Sequence, residues 1–355
     1  MTSEVGRALI GLVVLQLSIK SIEPNQSIRL HKGYSSRTKF SWKEGVPMRS
    51  LDTKYNTPIL RQHGLLKLNK YGVFMTRTLA ENYPYSTVYK AGIRGGRVEW
   101  ATLIERIEAG ETEPEPALHY LLSKLLHKAE EFNALANDIL DLLDSLMDTG
   151  LMSSKESIHN ILLRHIDESD YAARIMEIAM HSLMQARQEC DTLGSSVLIP
   201  LSQMRSANKK HGNIGDVELM DAGQIIEAWD AKYGKSYLRD ELEELHDKLA
   251  NHSNVVRVGF VTSTEPERLE ELDARRKDIE EANGIDLKIM TLEEWVSAQF
   301  DQSKQSSISE KELAQRWIKA YVESLAQRRT EMAPIDEPCY QWLEVLKSIF
   351  QSLKK

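Results

Sequence analysis

Between residues 197 and 300 the chain alternates short β-branched runs with amphipathic stretches, and this alternation restricts the fold more than any other feature. The runs are Val197 to Pro200, Ile214 to Met220, Gln224 to Lys232, Val255 to Thr262 and Ile285 to Met290. Apolar residues at helical spacing fill Ser236 to Asn251, Glu265 to Asn283 and Leu292 to Phe300. Three strands in succession, then strands separated by helices, predict a layered α/β domain with a mixed β-sheet flanked by helices.

The rest of the chain reads as helical. Leu121, Leu125, Phe132, Leu135, Ile139, Leu142 and Leu146 predict one long connecting helix over Ala117 to Leu146, its stripe serving as core or as a dimer contact. Further helices are expected over Lys155 to His165, Tyr171 to Gln188 and much of Ser309 to Lys355. Val5 to Leu17 predicts a helix near the start. Thr57 to Tyr85 reads as helix, short extended piece, helix around Gly64 and Gly72, an order compatible with a winged-helix or helix-turn-helix unit. Glu108 to Pro116, with Gly110 and two prolines among glutamates, has the composition of a linker. A chain of 355 residues exceeds one ordinary core. The expected divisions are a mainly helical N-terminal domain (1–108), linker and connecting helices (109–168), the α/β domain (169–300) and a helical C-terminal segment (301–355).

The net charge of −8 hides a division. Residues 1–100 hold 16 Lys and Arg against 6 Asp and Glu, whereas the remaining 255 hold 29 against 47. A first hundred residues at +10 suit a polyanion; a basic surface with no ligand is the plainer alternative. Only Cys190 and Cys339 are present, with no metal-knuckle spacing, which fits a reducing, cytoplasmic setting. The apolar run Ala8 to Leu17 is too short to span a bilayer and lacks the flanks of a signal peptide.

The segment HGNIGDVELMDAGQIIEAWDAKYGK, His211 to Lys235, concentrates the chemistry. Gly223 supplies a turn, so the segment reads as a β-hairpin with Asp216 on one arm and Asp230 and Lys232 on the other. Alternate strand residues share a face, which sets Asp230 beside Lys232, with Ala228 and Ile226 on that face nearer the turn. Two carboxylates and an amine would meet at the open end of an apolar surface. Mg²⁺ prefers oxygen donors and needs only one or two protein carboxylates. A bound metal activates water and offsets phosphate charge, while Lys232 would orient or deprotonate that water or stabilise the same charge.

Asp216, a gap of thirteen residues, then Asp230-Ala231-Lys232 resembles the PD-(D/E)xK nuclease superfamily, and the layout of the whole chain resembles a type II restriction endonuclease. Gly215 stands where that family has its proline, and the second acid is Asp rather than the commoner Glu. The resemblance implies a restriction-endonuclease-like sheet over residues 169–300 and hydrolysis of both strands of a specific duplex DNA sequence. It also implies dependence on Mg²⁺, with Mn²⁺ as a substitute, and 5′-phosphate products. A homodimer would match a two-fold site. A cognate DNA methyltransferase would be a genetic partner, in a prokaryotic cytoplasm. In such nucleases a glutamate from the helix before the first strand often joins the metal site. Glu177, which shares a helix face with His181 and Gln185, is the candidate, an exposed helix carboxylate being the alternative. Glu218 shares the Asp216 face by alternation and is a candidate third acid.

The basic block resembles the front part of restriction enzymes through SIRLHKGYSSRTKFSWKEG and GVFMTRTLAENYPYS. Arg29, Lys32, Arg37, Lys39 and Arg49 are candidates for phosphate or guanine contacts, a solvated surface role being the alternative for each. Two other functions share these features: a structure-specific repair or recombination nuclease, and a catalytically silent DNA-binding regulator. Gly234-Lys235-Ser236 ends like a phosphate loop, but Trp229 stands where its first glycine belongs. The histidines show no metal spacing, and His159, His165, His246 and His252 read as helix-surface residues.

Overall fold

The computed structural model describes residues 4–31, 45–93, 96–201, 213–304, 306–327 and 338–354. The chain is α/β and divides into two compact units, Met1–Ala134 with Gln327–Cys339, and Leu135–Ala326 with Tyr340–Lys355. No helix among the described residues is long and apolar enough to cross a membrane.

The first unit is helical: α1 (Glu4–Ile22), α2 (Met48–Leu51), a π-helical turn (Asp52–Asn56) running into α3 (Thr57–Gln62), α4 (Arg77–Glu81), α5 (Arg97–Glu108) and the first part of α6 (Pro114–Asp148). α1 is its axis, with Leu9, Leu12 and Leu17 buried. Gln16, fully buried on that helix, donates to the Ile28 carbonyl and accepts from the Trp100 indole, both at 3.0 Å. Over Thr57 to Tyr85 the helix, irregular piece, helix order is present as α3, the stretch after Gly64, and α4, but among the described residues no strand pair forms a wing. The only β feature described in this unit is a single bridge between His31 and Val46. The stretch after Gly64 sends Leu66 and Leu68 into the core rather than into a strand pair.

The boundary between units falls inside α6 and not at the Glu108 to Pro116 stretch. Leu118, Leu121, Leu122 and Leu125 pack on the N-terminal cluster, which ties the front of α6 to that unit. Its later stripe, Leu135, Ile139 and Leu146, is also buried within the chain. The stripe thus packs as core, the first of the two readings offered above.

The second unit holds α7 (Lys155–Glu168), α8 (Ala172–Glu189), β1 (Val197–Leu198), β2 (Val217–Asp221), β3 (Gln224–Lys232), α9 (Arg239–Leu249), β4 (Arg257–Thr262), α10 (Leu269–Asn283), β5 (Asp286–Thr291), α11 (Leu292–Ser303), α12 (Glu310–Gln327) and α13 (Cys339–Ser352). The strands form one five-stranded sheet in the order β1-β2-β3-β4-β5. β1, β2 and β3 pair antiparallel, β2 and β3 across a two-residue turn, and β4 and β5 follow β3 in parallel through helical crossovers. Ala222 (φ 47°) and Gly223 (φ 80°) both lie in the left-handed region, the geometry of a two-residue type I′ hairpin turn.

A bulge interrupts the hairpin. Leu219 pairs with Glu227 and Met220 with Ile225, leaving Ile226 unpaired and shifting the alternation by one. Ile225 therefore packs with Ala228 in the cluster under α9 and α10, a correction to the placement of Ile226. That cluster contains Leu242, Leu245 and Leu249 of α9, Leu272 and Ile279 of α10, and Val258, Phe260 and Leu287 of the sheet. On the other face Trp229 meets Trp295 of α11 edge to face, ring centroids 6.0 Å apart. Gly259 makes room for it: a Cβ there would lie 2.5 Å from the Trp229 ring.

Two histidines correct the surface reading. His159 is 8% exposed and His165 fully buried. The His165 ring bonds the Tyr321 hydroxyl (2.5 Å) on α12 and the Trp342 carbonyl (2.8 Å) on α13. Partners so distant in sequence leave no trace in helical spacing.

Candidate active site

Asp216 immediately precedes β2, opposite the end of β3. Its amide donates to the Trp229 carbonyl (2.9 Å), and its carboxylate accepts the Ala231 amide (3.0 Å). The side chain thus satisfies a β3 amide at the end of the strand pair, and this holds the carboxylate against Asp230. The next residue back shows why the approach is so close. A Cβ on Gly215 would stand 2.7 Å from the Trp229 carbonyl oxygen and 2.9 Å from its carbon. The proline of the resembling family has no room here, and glycine is what the backbone contact requires.

On β3, Asp230 and Lys232 share a face, and their side chains form an ion pair at 2.8 Å. Both are mostly buried, at 15% and 19% exposure. The Lys232 ammonium also lies 5.7 Å from the Phe260 ring centroid, on the neighbouring strand. Burial pulls Lys232 down, but Asp230, Asp216 and Glu241 outweigh it and hold its pKa above the usual value. Burial, then the charges of Glu177 and Asp230, then a hydrogen bond shared with Asp230 push the Asp216 carboxyl well above the carboxylate range; the Ala231 amide pulls the other way. The arrangement gathers several carboxyl groups around one buried lysine, with Asp216 the one pushed toward its neutral form.

Glu177 on α8 is close enough to act on Asp216, yet its carboxylate is ion-paired with Arg174 one turn earlier. Among the described residues no group of three His, Cys, Asp or Glu side chains is placed to hold a metal ion. Asp216 and Asp230 are brought into contact at the strand end, and Glu177 lies close enough to raise the Asp216 carboxyl while pairing with Arg174. Glu218 has another task. It is 4% exposed, and Oε1 accepts the amides of Ile214 (2.6 Å) and Gly215 (3.1 Å), bracing the backbone that leads to Asp216. Burial pushes its carboxyl up, those two amides lower it, and His252 and Lys248 lower it further. His181, from the same helix face as Glu177, is buried and bonds the Ile199 carbonyl (3.0 Å).

Sequence reasoning passed over Arg174 and Glu241. Glu241 lies in the first turn of α9 and pairs with Lys235. An acid at a helix start is so common that its bearing on Lys232 had no distinctive signal.

Of the basic candidates in the first unit, Arg29 forms an ion pair with Glu105. Arg49 is exposed and donates to the Phe74 carbonyl (3.2 Å). Lys32, Arg37 and Lys39 lie outside the described residues.

The donor set fits a hard divalent ion. Two carboxylates lie in hydrogen-bond contact, one of them burdened by burial and by two like charges, and a cation bound between them would relieve that repulsion. No protein-family model matches the sequence, and no curated protein is significantly similar to it.

Proposed function

We propose that the chain is a Mg²⁺-dependent endonuclease of the restriction type, hydrolysing phosphodiester bonds in both strands of duplex DNA. The observation that carries this reading is the contact of Asp216, Asp230 and Lys232 at the end of a hairpin in a mixed sheet. Asp216 and Asp230 would hold the ion through carboxylate oxygens. Magnesium, when bound, supplies a more acidic water and offsets charge on the phosphate.

Asp216 must give up its proton to serve as a donor, because burial and its neighbours favour the neutral acid. Lys232 stays protonated, since the surrounding carboxylates hold its pKa up. An ammonium in that state donates hydrogen bonds to the attacking water or to a phosphate oxygen, and it does not act as a base. The Ala231 amide and the Glu218 brace keep Asp216 at the strand end. Two-strand cutting of a symmetric site is most simply done by a homodimer.

Digestion of a sequenced plasmid in Mg²⁺ tests the reading. Discrete fragments with 5′-phosphate ends support a site-specific endonuclease. Cleavage confined to branched or nicked substrates would transfer the same chemistry to a structure-specific nuclease, and duplex binding with no cleavage would leave a DNA-binding regulator.

A further inference from the structure

The first unit carries a basic surface that extends well beyond Arg49, the exposed candidate already placed there. Residues 45–80 hold six basic side chains, Arg49, Lys54, Arg61, Lys67, Lys70 and Arg77, against one acid, Asp52. Asp52 is fully buried. Its carboxylate accepts the Val73 amide (2.7 Å), the Asn56 amide group (2.9 Å) and the Thr57 hydroxyl (2.8 Å). The only negative charge in this stretch is therefore spent inside the protein. It clamps the segment around Gly72 onto the α2–π–α3 helix. Gly72 (φ 96°) allows the approach, because a Cβ there would lie 2.2 Å from an Asp52 oxygen.

The clamp sets two exposed elements side by side. From the helix come Arg49, Thr53 and Lys54, and from the segment come Lys70, Tyr71 and Met75. Arg49 bridges them through the Phe74 carbonyl, and a Gly72 Cβ would meet the Thr53 hydroxyl at 3.4 Å. Elsewhere in this unit Lys20, Arg29 and Arg106 are each matched by a glutamate. Arg49, Lys54, Arg61 and Lys70 make no ion pair among the described residues, and Arg77 has only a solvated pair with Glu81 at 3.9 Å. Tyr55, Tyr71 and Met75 are each more than half exposed, and Lys54 and Lys70 lie over the rings of Tyr55 and Tyr71. Uncompensated cations beside exposed tyrosine hydroxyls complement a rail of phosphates, and a helix of this width enters a major groove.

We infer that this clamped helix-and-loop face, with Arg49, Lys54 and Lys70 as its cations, is where the chain grips the phosphate backbone of duplex DNA. The inference rests on the nuclease reading for the choice of DNA among polyanions. It moves the grip away from Arg29, whose charge is already matched.

The test is fluorescence anisotropy of a labelled 30-base-pair duplex with the full chain in EDTA, where cleavage is absent, over a salt series. Each phosphate contact contributes about 0.9 to the slope of log K against log salt, equivalent to about eightfold in affinity at 0.1 M. Lys54→Gln/Lys70→Gln is expected to bind about 60-fold more weakly, with a slope shallower by about 1.8. Lys54→Arg/Lys70→Arg, which keeps both charges, is expected to bind as wild type. Both lysines are exposed, so thermal unfolding should match wild type in each variant. Wild-type affinity and slope in the Gln variant would overturn the inference, as would an equal loss in the Arg variant. Binding to phosphatidylserine vesicles with none to the duplex would also overturn it. The two readings fail separately. Absence of Mg²⁺-dependent cutting by a chain that still grips DNA through these lysines sinks the nuclease, whereas cutting that ignores them sinks only this surface.

Discussion

Glu218→Ala separates a backbone brace from a metal ligand. The carboxylate receives two amides, at 2.6 and 3.1 Å, in a setting where only 4% of the residue is exposed. Hydrogen bonds to a charged acceptor contribute about 1.5–3 kcal/mol each, and removing the acceptor leaves two buried donors unsatisfied. Burial has already pushed this carboxyl upward, so part of that gain is offset and the lower end applies, a net loss of about 3 kcal/mol. With an m-value of about 2 kcal/mol/M, the urea midpoint of the second unit should fall by about 1.5 M. Glu218→Gln keeps a carbonyl for both amides and removes only the disfavoured charge, so its cost should be near 1 kcal/mol. The companion assay is calorimetric titration with Mg²⁺ at a temperature where each variant is folded. A brace predicts wild-type Mg²⁺ affinity in the Gln variant. Two results would refute the reasoning: an Ala variant as stable as wild type, or a folded Gln variant whose affinity for Mg²⁺ drops tenfold.

Other expectations follow from the same geometry. Gly215→Ala would force a Cβ to 2.7 Å from the Trp229 carbonyl oxygen, costing about 1–3 kcal/mol and displacing Asp216; unchanged stability and Mg²⁺ affinity would show that the strands can part freely. Burial lowers the His165 pKa from 6.5 to about 4, against the opposing effect of the Trp342 carbonyl. Its contribution to stability is therefore present above pH 6.5 and lost as pH falls toward 4, about 3 kcal/mol in all, and His165→Phe should flatten the urea midpoint over that window. Asp216, raised instead, favours the metal-free fold at low pH and loses that contribution as pH rises through its folded pKa. Under the proposed Mg²⁺ reading the ion competes with a proton for Asp216, so affinity should strengthen as pH rises, and a pH-independent constant would contradict this.

The α/β class, the mixed sheet and the hairpin were legible because each is written locally. Gly223 marks a turn that needs positive φ, and β-branched runs bounded by polar helices leave few alternatives to a layered sheet. The contact of Asp216 with Asp230 was legible for the same reason, since a hairpin places residues by counting. Counting fails at Ile226, where the bulge resets the alternation without any signature in its side chain. It also fails for Glu218, whose face was read correctly but whose carboxylate bonds the backbone of Ile214 and Gly215. His159 and His165 went inward because distant helices cover them, and helical period carries no information about that. Asp52 shows the same blindness. An isolated aspartate between Leu51 and Thr53 gives no hint that it removes the only acid from a basic face.

The most direct test is single-turnover cleavage of a duplex by Asp230→Ala beside wild type, with DNA affinity measured on the same preparations. Cutting is expected to fall at least a thousandfold while the duplex is held as tightly as before. If the variant cut at the wild-type rate, Asp216, Asp230 and Lys232 would not be the hydrolytic centre, and the catalytic account of the hairpin would be wrong.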